Sequence, residues 1–163
     1  MAALCEPKTL AVDLRKDSGK EQMQRMEGPM TRSEENYLSG LNPRQKVMGA
    51  WHVEQALEQA SDFSRPIQEL VTEYAWGAIW GRPGLDLKTR SMLNLAMLTA
   101  LNRSHELAGH VRGALNNGVT EQEIQEILLQ TMIYCGAPAA LESFRTAEGA
   151  ITEFRRAQGR GSR

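Results

Sequence analysis

The sequence predicts an all-α protein built around one compact helical domain. Apolar residues recur at three- and four-residue spacing through most of the chain, and helix-start and helix-stop signals separate these segments. No stretch alternates apolar and polar residues between hairpin turns, so strands are not expected. With 163 residues, 41% hydrophobic and 24% charged, the chain has the size and composition of a single globular domain.

The predicted domain has a polar extension at each end. Residues 1–36 are rich in charged side chains and poor in large apolar ones, which is typical of a loosely held arm. The helical domain is predicted over residues 37–154 and a basic tail over residues 155–163. Methionines of the arm could dock on a neighbouring chain, but a simply mobile segment has the same composition.

The first two predicted helices begin at proline-containing signals. Asn42 and Pro43 are interpreted as the cap and the first residue of a helix that runs to about Ala60. Ser64-Arg65-Pro66 opens the next helix. Its apolar residues follow near helical spacing until a Gly-Arg-Pro-Gly turn at residues 81–84 ends it.

Two further helices are predicted in the middle of the chain. Asp86 caps a helix through Leu101 that is apolar on nearly every side, so we expect it at the centre of the core. Ser104 caps the next helix, which ends at Asn116-Asn117-Gly118, a left-handed stop signal.

The last two predicted helices are separated by a Gly-Ala-Pro break. Thr120 and Glu123 form a capping box for the first of them, which ends at Gly136-Ala137-Pro138. The final helix carries apolar residues as far as Phe154 and is expected to dissolve into the basic tail.

Charge, apolar run length and cysteine content exclude several classes of function. Lys and Arg number 19 and Asp and Glu 20, which argues against nucleic acid as the main partner because phosphate binding needs a basic face. No run of 18 apolar residues exists, so no membrane span is expected. Cys5 and Cys135 form neither a CxxC pair nor a disulfide framework, and a reducing cytoplasm is the expected location.

The polar pair with the clearest chemical meaning is Glu106 and His110. Four residues apart on a predicted helix, they share a face with their Cβ atoms about 6 Å apart. A carboxylate can hold the imidazole in one tautomer and raise its pKa, leaving the other ring nitrogen to move a proton. Gly109 and Gly113 flank the histidine and indicate the close approach of a substrate or of another helix. An ordinary surface ion pair has the same spacing.

A metal site and an aromatic pocket are further interpretations. His105 and His110 flank a glutamate, but they lie five residues apart, about 140° around a helix, which is not the HExxH spacing of zinc proteases. A third ligand would have to come from His52 or from a distant carboxylate. Trp76 and Trp80, four residues apart, either wall a pocket for a planar ring or fill the core between helices.

Several segments in the middle of the chain carry a family pattern. They are Glu73–Asp86, Thr89–Asn102, Glu106–Thr120, Glu126–Gln130 and Tyr134–Ala140. Together they resemble the carboxymuconolactone decarboxylase family over about residues 37–151. The likeness is closer to the γ-carboxymuconolactone decarboxylase branch than to the alkyl hydroperoxidase D branch.

The resemblance implies an all-helical domain that assembles as a ring-shaped homohexamer, with active sites close to subunit contacts. It implies a decarboxylase that acts on a small carboxylated substrate without a cofactor. Loss of CO₂ from a carboxylated lactone spreads the electrons onto the lactone oxygen as a dienolate, which then takes up a proton. The peroxidase branch carries a CxxC pair at the positions of Arg103 and Glu106, so peroxidase activity is not expected here.

The resemblance also implies roles for individual polar residues. His110 is the proton donor or oxyanion partner, and Glu106 orients it. Arg90 and Arg112 are candidates to bind the substrate carboxylate, because a guanidinium fork suits that geometry. Each arginine could equally form an interfacial ion pair.

Departures from the family pattern lie beside Trp76 and Trp80, which are expected to wall the substrate pocket. The family motif has Cys and Glu at the positions of Ala75 and Ala78, and Gly109 is smaller than the leucine expected there. These changes indicate a roomier, less charged site and a bulkier substrate, such as an aromatic polyketide or another secondary metabolite. Isomerisation, lactone opening, cyclisation and a non-catalytic ligand-binding assembly remain alternatives to decarboxylation.

Overall fold

The computed structural model describes residues 30–161, which form helices joined by short turns, with no strand among them. The all-α prediction is therefore confirmed. The elements are α1 (Arg32–Met48), α2 (Ala50–Glu58), α3 (Arg65–Leu70), a π-helical segment (Val71–Trp80), α4 (Leu87–Ala100), α5 (Ser104–Asn116), α6 (Glu121–Cys135) and α7 (Ala137–Gly161). Most of the predicted arm, residues 1–36, lies outside the described residues, and residues 32–36 form the start of α1.

Helices α4 to α7 enclose the larger of two hydrophobic cores. Its buried side chains come from all four helices and are almost entirely aliphatic: Leu95, Leu107, Val111, Ala114, Ile124, Leu128, Ala147 and Ala150. Each helix turns its apolar stripe inward, as the three- and four-residue spacing predicts. Burial of each leucine or isoleucine contributes about 1.5–3 kcal/mol, so these few residues supply much of the stability of the bundle.

The local signals at several helix ends are confirmed. The Asp86 carboxylate accepts a hydrogen bond from the backbone amide three residues further on, at 2.7 Å, and caps α4. The Thr120 hydroxyl accepts from the Glu123 amide at 3.1 Å, and the Glu123 carboxylate accepts from the Thr120 amide at 2.8 Å, which completes the capping box of α6. Gly118 and Gly136 adopt φ angles of 79° and 88° after α5 and α6.

The first helix begins eleven residues before its predicted first residue, Pro43. Helix α1 starts at Arg32 and passes through Asn42 and Pro43, which are therefore not its cap and first residue. A proline in a helix interior removes one backbone hydrogen bond and costs about 3 kcal/mol. The helix continues because its inner face, which includes the buried residues Gly40 and Arg44, packs on the π-helical segment.

Other helix boundaries also differ from the prediction. Gly49, with φ of 92°, separates α1 from α2 where the sequence predicts one helix as far as Ala60. Ser104 is the first residue of α5 and not its cap. Helix α7 continues to Gly161, so residues 155–161 of the predicted basic tail are helical. Arg155 in this last part of α7 pairs with the carboxylate of a glutamate on α6, its Nε donating at 2.8 Å.

Helix α3 widens without a break into the π-helical segment, a change of winding that the sequence pattern does not predict. At the junction, the Thr72 hydroxyl donates to the backbone carbonyl of Gln68 at 2.7 Å and accepts from Arg44 Nη1 at 2.6 Å. Arg44 Nη2 also donates to the side-chain oxygen of Gln68 at 2.6 Å. These bonds provide partners for polar groups where the helical winding changes. Burial lowers the pKa of Arg44.

The backbones of α1 and the π-helical segment touch at two glycines. A Cβ atom at Gly40 would lie 2.6 Å from the backbone nitrogen of Gly77, and a Cβ at Gly77 would overlap the carbonyl group of Asn36. Only residues without a side chain fit at this crossing. The close approach brings Val47 of α1 against Trp76 of the π-helical segment, in the second hydrophobic core.

Helix α4 is not surrounded by core, contrary to its predicted central position. Leu95 is fully buried, but Leu93, Met97 and Leu101 at the end of the helix are 48%, 51% and 67% exposed. The helix therefore has one face in the core and a second apolar face directed outward. None of the described helices combines the length and apolar character needed to cross a membrane.

Candidate active site

His110 lies on α5 against the two tryptophans of the π-helical segment. The rings of His110 and Trp80 are stacked, with centroids 6.5 Å apart and an interplanar angle of 26°. The Trp80 ring in turn contacts that of Trp76, with centroids 4.7 Å apart. Both tryptophans are less than 9% exposed and pack on Val47. They thus fill core between helices and also present an aromatic face to the imidazole.

Small residues on α5 let helix α1 come close beside the histidine. A Cβ at Gly113 would lie 2.9 Å from Cγ1 of Val47, and a Cβ at Gly109 would lie 3.4 Å from the methyl group of Met48. The Asn116 side chain then donates to the backbone carbonyl of Val47 at 2.9 Å. The sequence predicts that a substrate or another helix approaches these glycines closely, and the structure shows another helix, α1.

The His110 ring has a polar neighbour that sequence reasoning missed. The side-chain nitrogen of Asn94, on α4, lies 3.4 Å from Nδ1 of His110. In the sequence, Asn94 stands out only as a polar interruption of an apolar helix. That interruption is itself a signal, because a half-buried amide in such a helix requires a hydrogen-bond partner.

Burial and charge act on His110 in opposite directions. Burial lowers the pKa of His110 from its ordinary value of 6.5, and the negative charge of Glu106 raises the pKa by a smaller amount. The net shift is downward, which favours the neutral form of the imidazole. Glu106 itself is exposed, and among the described residues the hydrogen bond to the ring comes from Asn94. Glu106 therefore acts on the ring through its charge.

The two candidate arginines lie in different surroundings. Arg90 is one helical turn before the asparagine of α4, and its Nε and Nη2 donate to the carbonyl oxygens of Leu85 and Arg82 at 3.2 and 3.1 Å. Arg112 pairs through Nη1 with the carboxylate of Glu153 on α7 at 3.3 Å. Because Arg112 is two residues after His110, its side chain leaves α5 on nearly the opposite side.

A separate groove of about 730 Å³ lies between α4 and α6. Its lining is mostly apolar and includes Met92, Ala96, Met97, Ile127 and Tyr134. Ala96 is two residues after Asn94 and therefore points to the other side of α4, so this groove does not contain the histidine. Within residues 30–161, no group of three His, Cys, Asp or Glu side chains comes together in a way that could hold a metal ion.

An all-α scaffold that holds a neutral, half-buried imidazole between an aromatic ring and an amide presents a site for proton transfer or oxyanion binding. Comparison with known families gives this site a context. The model of the carboxymuconolactone decarboxylase family matches residues 65–149, more than half of the chain. This match covers the π-helical segment and helices α4 and α5, which carry the site. The chain belongs to the carboxymuconolactone decarboxylase family.

Curated relatives extend the match to 71% of the chain. Nitrosuccinic acid decarboxylase of Metarhizium robertsii is 46% identical over 115 residues, which are 80% of that protein. The 4-carboxymuconolactone decarboxylase of Acinetobacter baylyi is 42% identical over 115 residues, 86% of that protein. An uncharacterized 15.0 kDa protein of Paracoccus denitrificans is 34% identical over 83 residues, which are 50% of this chain and 62% of that one. The chain is accordingly an enzyme of the carboxy-lyase class.

Proposed function

We propose that the protein removes CO₂, without a cofactor, from a small carboxylated compound whose released electron pair spreads to an oxygen atom. Breaking the carbon–carboxylate bond leaves that pair on carbon. A conjugated lactone carbonyl, or a nitro group on the same carbon, accepts the pair on oxygen. A proton added to carbon then completes the reaction. The substrates in the names of the two decarboxylase relatives both fit this chemistry.

His110 is the residue that we assign to the developing oxyanion. A neutral imidazole offers one N–H group, and a hydrogen bond from it to a negative oxygen is stronger in a half-buried site than in water. The negative charge of Glu106 would stabilise positive charge on the ring if the ring also relays the proton. The observation that carries this assignment is the position of His110, half-buried and stacked on Trp80.

Arg90 is the better placed of the two arginines to hold the substrate carboxylate. It lies one turn from Asn94, and its two hydrogen bonds go to neutral backbone carbonyls, which leave its positive charge available to an anion. Arg112 is instead assigned to the ion pair between α5 and α7. Trp76 and Trp80 are assigned to the wall of the substrate pocket.

The departures Ala75 and Ala78 support a bulkier, less charged substrate than carboxymuconolactone. Ala75 packs against the tryptophan cluster, where the family pattern has cysteine, and half-buried Ala78 stands where the pattern has glutamate. Loss of that carboxylate removes a negative charge close to the tryptophans. A carboxylated aromatic compound, from aromatic catabolism or secondary metabolism, fits such a site.

We also propose that the protein is a homo-oligomer, as a hexamer if it follows the family resemblance. Large apolar side chains on two helices support this: Leu93 and Met97 on α4 are about half exposed, and Ile133 and Tyr134 on α6 are 71% and 79% exposed. Leu93, Met97 and Tyr134 line one groove, and an exposed apolar surface of this kind is typical of an interface between chains. Sedimentation should give about six times 18.2 kDa, and a species near 18 kDa would contradict the proposal.

The test of the reaction is release of CO₂ by the purified protein. The substrates are γ-carboxymuconolactone, nitrosuccinate and a panel of carboxylated polycyclic aromatic compounds, followed by CO₂ detection and ultraviolet absorbance. On each substrate that turns over, His110→Ala should lower kcat by about 10²-fold or more, because it removes the oxyanion partner. Faster turnover of an aromatic acid than of the lactone would support the proposed substrate class.

The matched control is His105→Ala, which removes an exposed histidine from the same helix. This variant should keep the wild-type rate. Wild-type turnover by His110→Ala, or no CO₂ from any member of the panel, would contradict the proposed reaction. Efficient turnover of carboxymuconolactone would contradict the bulkier substrate class and leave the role of His110 intact.

A further inference from the structure

We propose that Asn94 is a positioning residue that holds the His110 ring in the tautomer with its proton on Nε2. The inference rests on the proposed function, because it states which ring nitrogen offers the N–H group to the substrate. It also makes a separate claim about the free protein, which can be measured without any substrate.

The assignment follows from the donors and acceptors of the two side chains. The atom of Asn94 that faces the ring is its amide nitrogen, 3.4 Å from Nδ1 of His110. An amide nitrogen has two N–H donors and no acceptor, so Nδ1 must offer its lone pair. A neutral imidazole carries one ring proton, which then lies on Nε2.

The surroundings restrict the ring as well as its proton. Asn94 precedes Leu95, which is fully buried in the α4–α7 core, so the backbone that carries the amide is firmly packed. Trp80 stacks on one face of the imidazole with an interplanar angle of 26°. Rotation of the ring by half a turn would break the bond to Asn94 and bring a carbon atom against a polar amide. Burial also disfavours the doubly protonated ring.

The tautomer decides whether His110 can stabilise an oxyanion. With the proton on Nε2, the nitrogen away from Asn94 donates a hydrogen bond to a negative oxygen. With the proton on Nδ1, that nitrogen would present a lone pair and repel the oxygen. Glu106 is not required for this arrangement, because its effect on the ring is through charge.

The first experiment measures ring protonation directly by nitrogen NMR of the free protein. The chain has three histidines, and His52 and His105 are both exposed. The signals that disappear from the spectrum of His110→Ala therefore belong to His110. In the wild type, Nε2 of His110 should show the shift of a protonated nitrogen and Nδ1 that of an unprotonated one. In Asn94→Asp, a nearly isosteric carboxylate accepts from Nδ1–H, and the two shifts should exchange.

The second experiment follows kinetics on the substrate identified above. Asn94→Leu keeps the size of the side chain but removes the donor, so kcat should fall by about tenfold or more, while KM changes little. The kcat of Asn94→Asp should fall at least as far. The matched control is Asn116→Leu, which removes an equivalent amide donor that serves the carbonyl of Val47 and not the imidazole. This control should keep the wild-type kcat and the wild-type ring shifts.

The outcomes separate this inference from the proposed function. A wild-type ring protonated on Nδ1, or unchanged shifts in Asn94→Asp, would overturn the role of Asn94 even if CO₂ release depends on His110. A wild-type kcat in Asn94→Leu would overturn it as well. If instead the ring shifts behave as expected and His110→Ala retains full turnover, the proposed reaction fails while the tautomer assignment stands.

Discussion

Two parts of the described chain, the core of α4 to α7 and the layer of α1 against the π-helical segment, are buried by different means. The α4–α7 core is filled by aliphatic side chains from four helices. The α1–π layer buries a charged residue, Arg44, together with Thr72 and Trp76. In this layer the two backbones touch at Gly40 and Gly77, with no side chain between them.

The difference explains where the candidate site lies. An aliphatic core offers no groups for chemistry, but it holds α4 and α5 firmly in place. The α1–π layer supplies the aromatic surface, and α5 lies between the two regions. His110 and Val111 are consecutive on α5, but their side chains face different regions, because adjacent side chains on a helix are separated by about 100°. Val111 enters the α4–α7 core, while His110 stacks on Trp80.

The largest effect should come from adding a methyl group to the α1–π layer. Gly77→Ala places a Cβ atom inside the carbonyl group of Asn36, which can be relieved only by separating two backbones. We expect a loss of about 4 kcal/mol or more in the free energy of unfolding, or failure to fold. Urea denaturation followed by circular dichroism measures the change.

Gly149→Ala is the control for Gly77→Ala. It adds the same methyl group to a helical glycine of α7, where a Cβ would meet nothing within 4 Å. This variant should gain about 1 kcal/mol from helix propensity. Equal effects at the two glycines would show that the α1–π layer is no more tightly fitted than an exposed helix surface, and would remove the contrast between the regions.

A smaller loss is expected from removing volume in the α4–α7 core. Leu95→Ala leaves a cavity among rigidly packed aliphatic side chains and should cost about 3 kcal/mol of unfolding free energy. Leu101→Ala, at the exposed end of the same helix, should cost less than about 1 kcal/mol in the single chain. If both variants lost the same amount, burial would not be what holds α4 in place.

The sequence predicts the α4–α7 region better than the α1–π layer because its signals are local. Asp86, the pair Thr120 and Glu123, and the glycines 118 and 136 act within three or four residues of the helix ends that they define. Pro43 is also a local signal, but here packing on the π-helical segment outweighs it, and α1 passes through. The winding of that segment likewise depends on partners distant in sequence, such as Arg44.

The candidate site was predictable in part for the same reason. The spacing of Glu106 and His110, and that of Trp76 and Trp80, is visible along single helices. The stacking of His110 on Trp80 joins residues 30 positions apart, and the bond from Asn94 joins two helices. Periodicity gives no information on contacts of that kind. What the sequence does show is a polar residue in an apolar helix, and such residues are worth treating as candidates for a site.

The smallest of these effects is a pH dependence of stability, which we expect in the α4–α7 region and not in the α1–π layer. Hydrogen bonds from Lys88 and from the Thr120 amide lower the pKa of Glu123 from 4.5 to about 2. A carboxylate with a lower pKa in the folded state stabilises the fold above the unfolded pKa. This contribution is complete above about pH 5 and is lost as the pH falls from there toward 2.

Glu123→Gln should remove this contribution, so the variant is less stable than the wild type near neutral pH, and the difference shrinks as the pH falls through that window. Lys88→Met, which removes the strongest partner of Glu123, should shrink the same acid-side loss. In the α1–π layer, the hydrogen-bond acceptors of Arg44 are the neutral groups of Gln68 and Thr72, which have no carboxylate to protonate. Urea midpoints near pH 7 and near pH 3 measure the effect. A stability difference that stayed constant between those values would contradict the role of Glu123. A smaller acid-side loss in Arg44→Met than in the wild type would show that the α1–π layer also depends on a titrating partner.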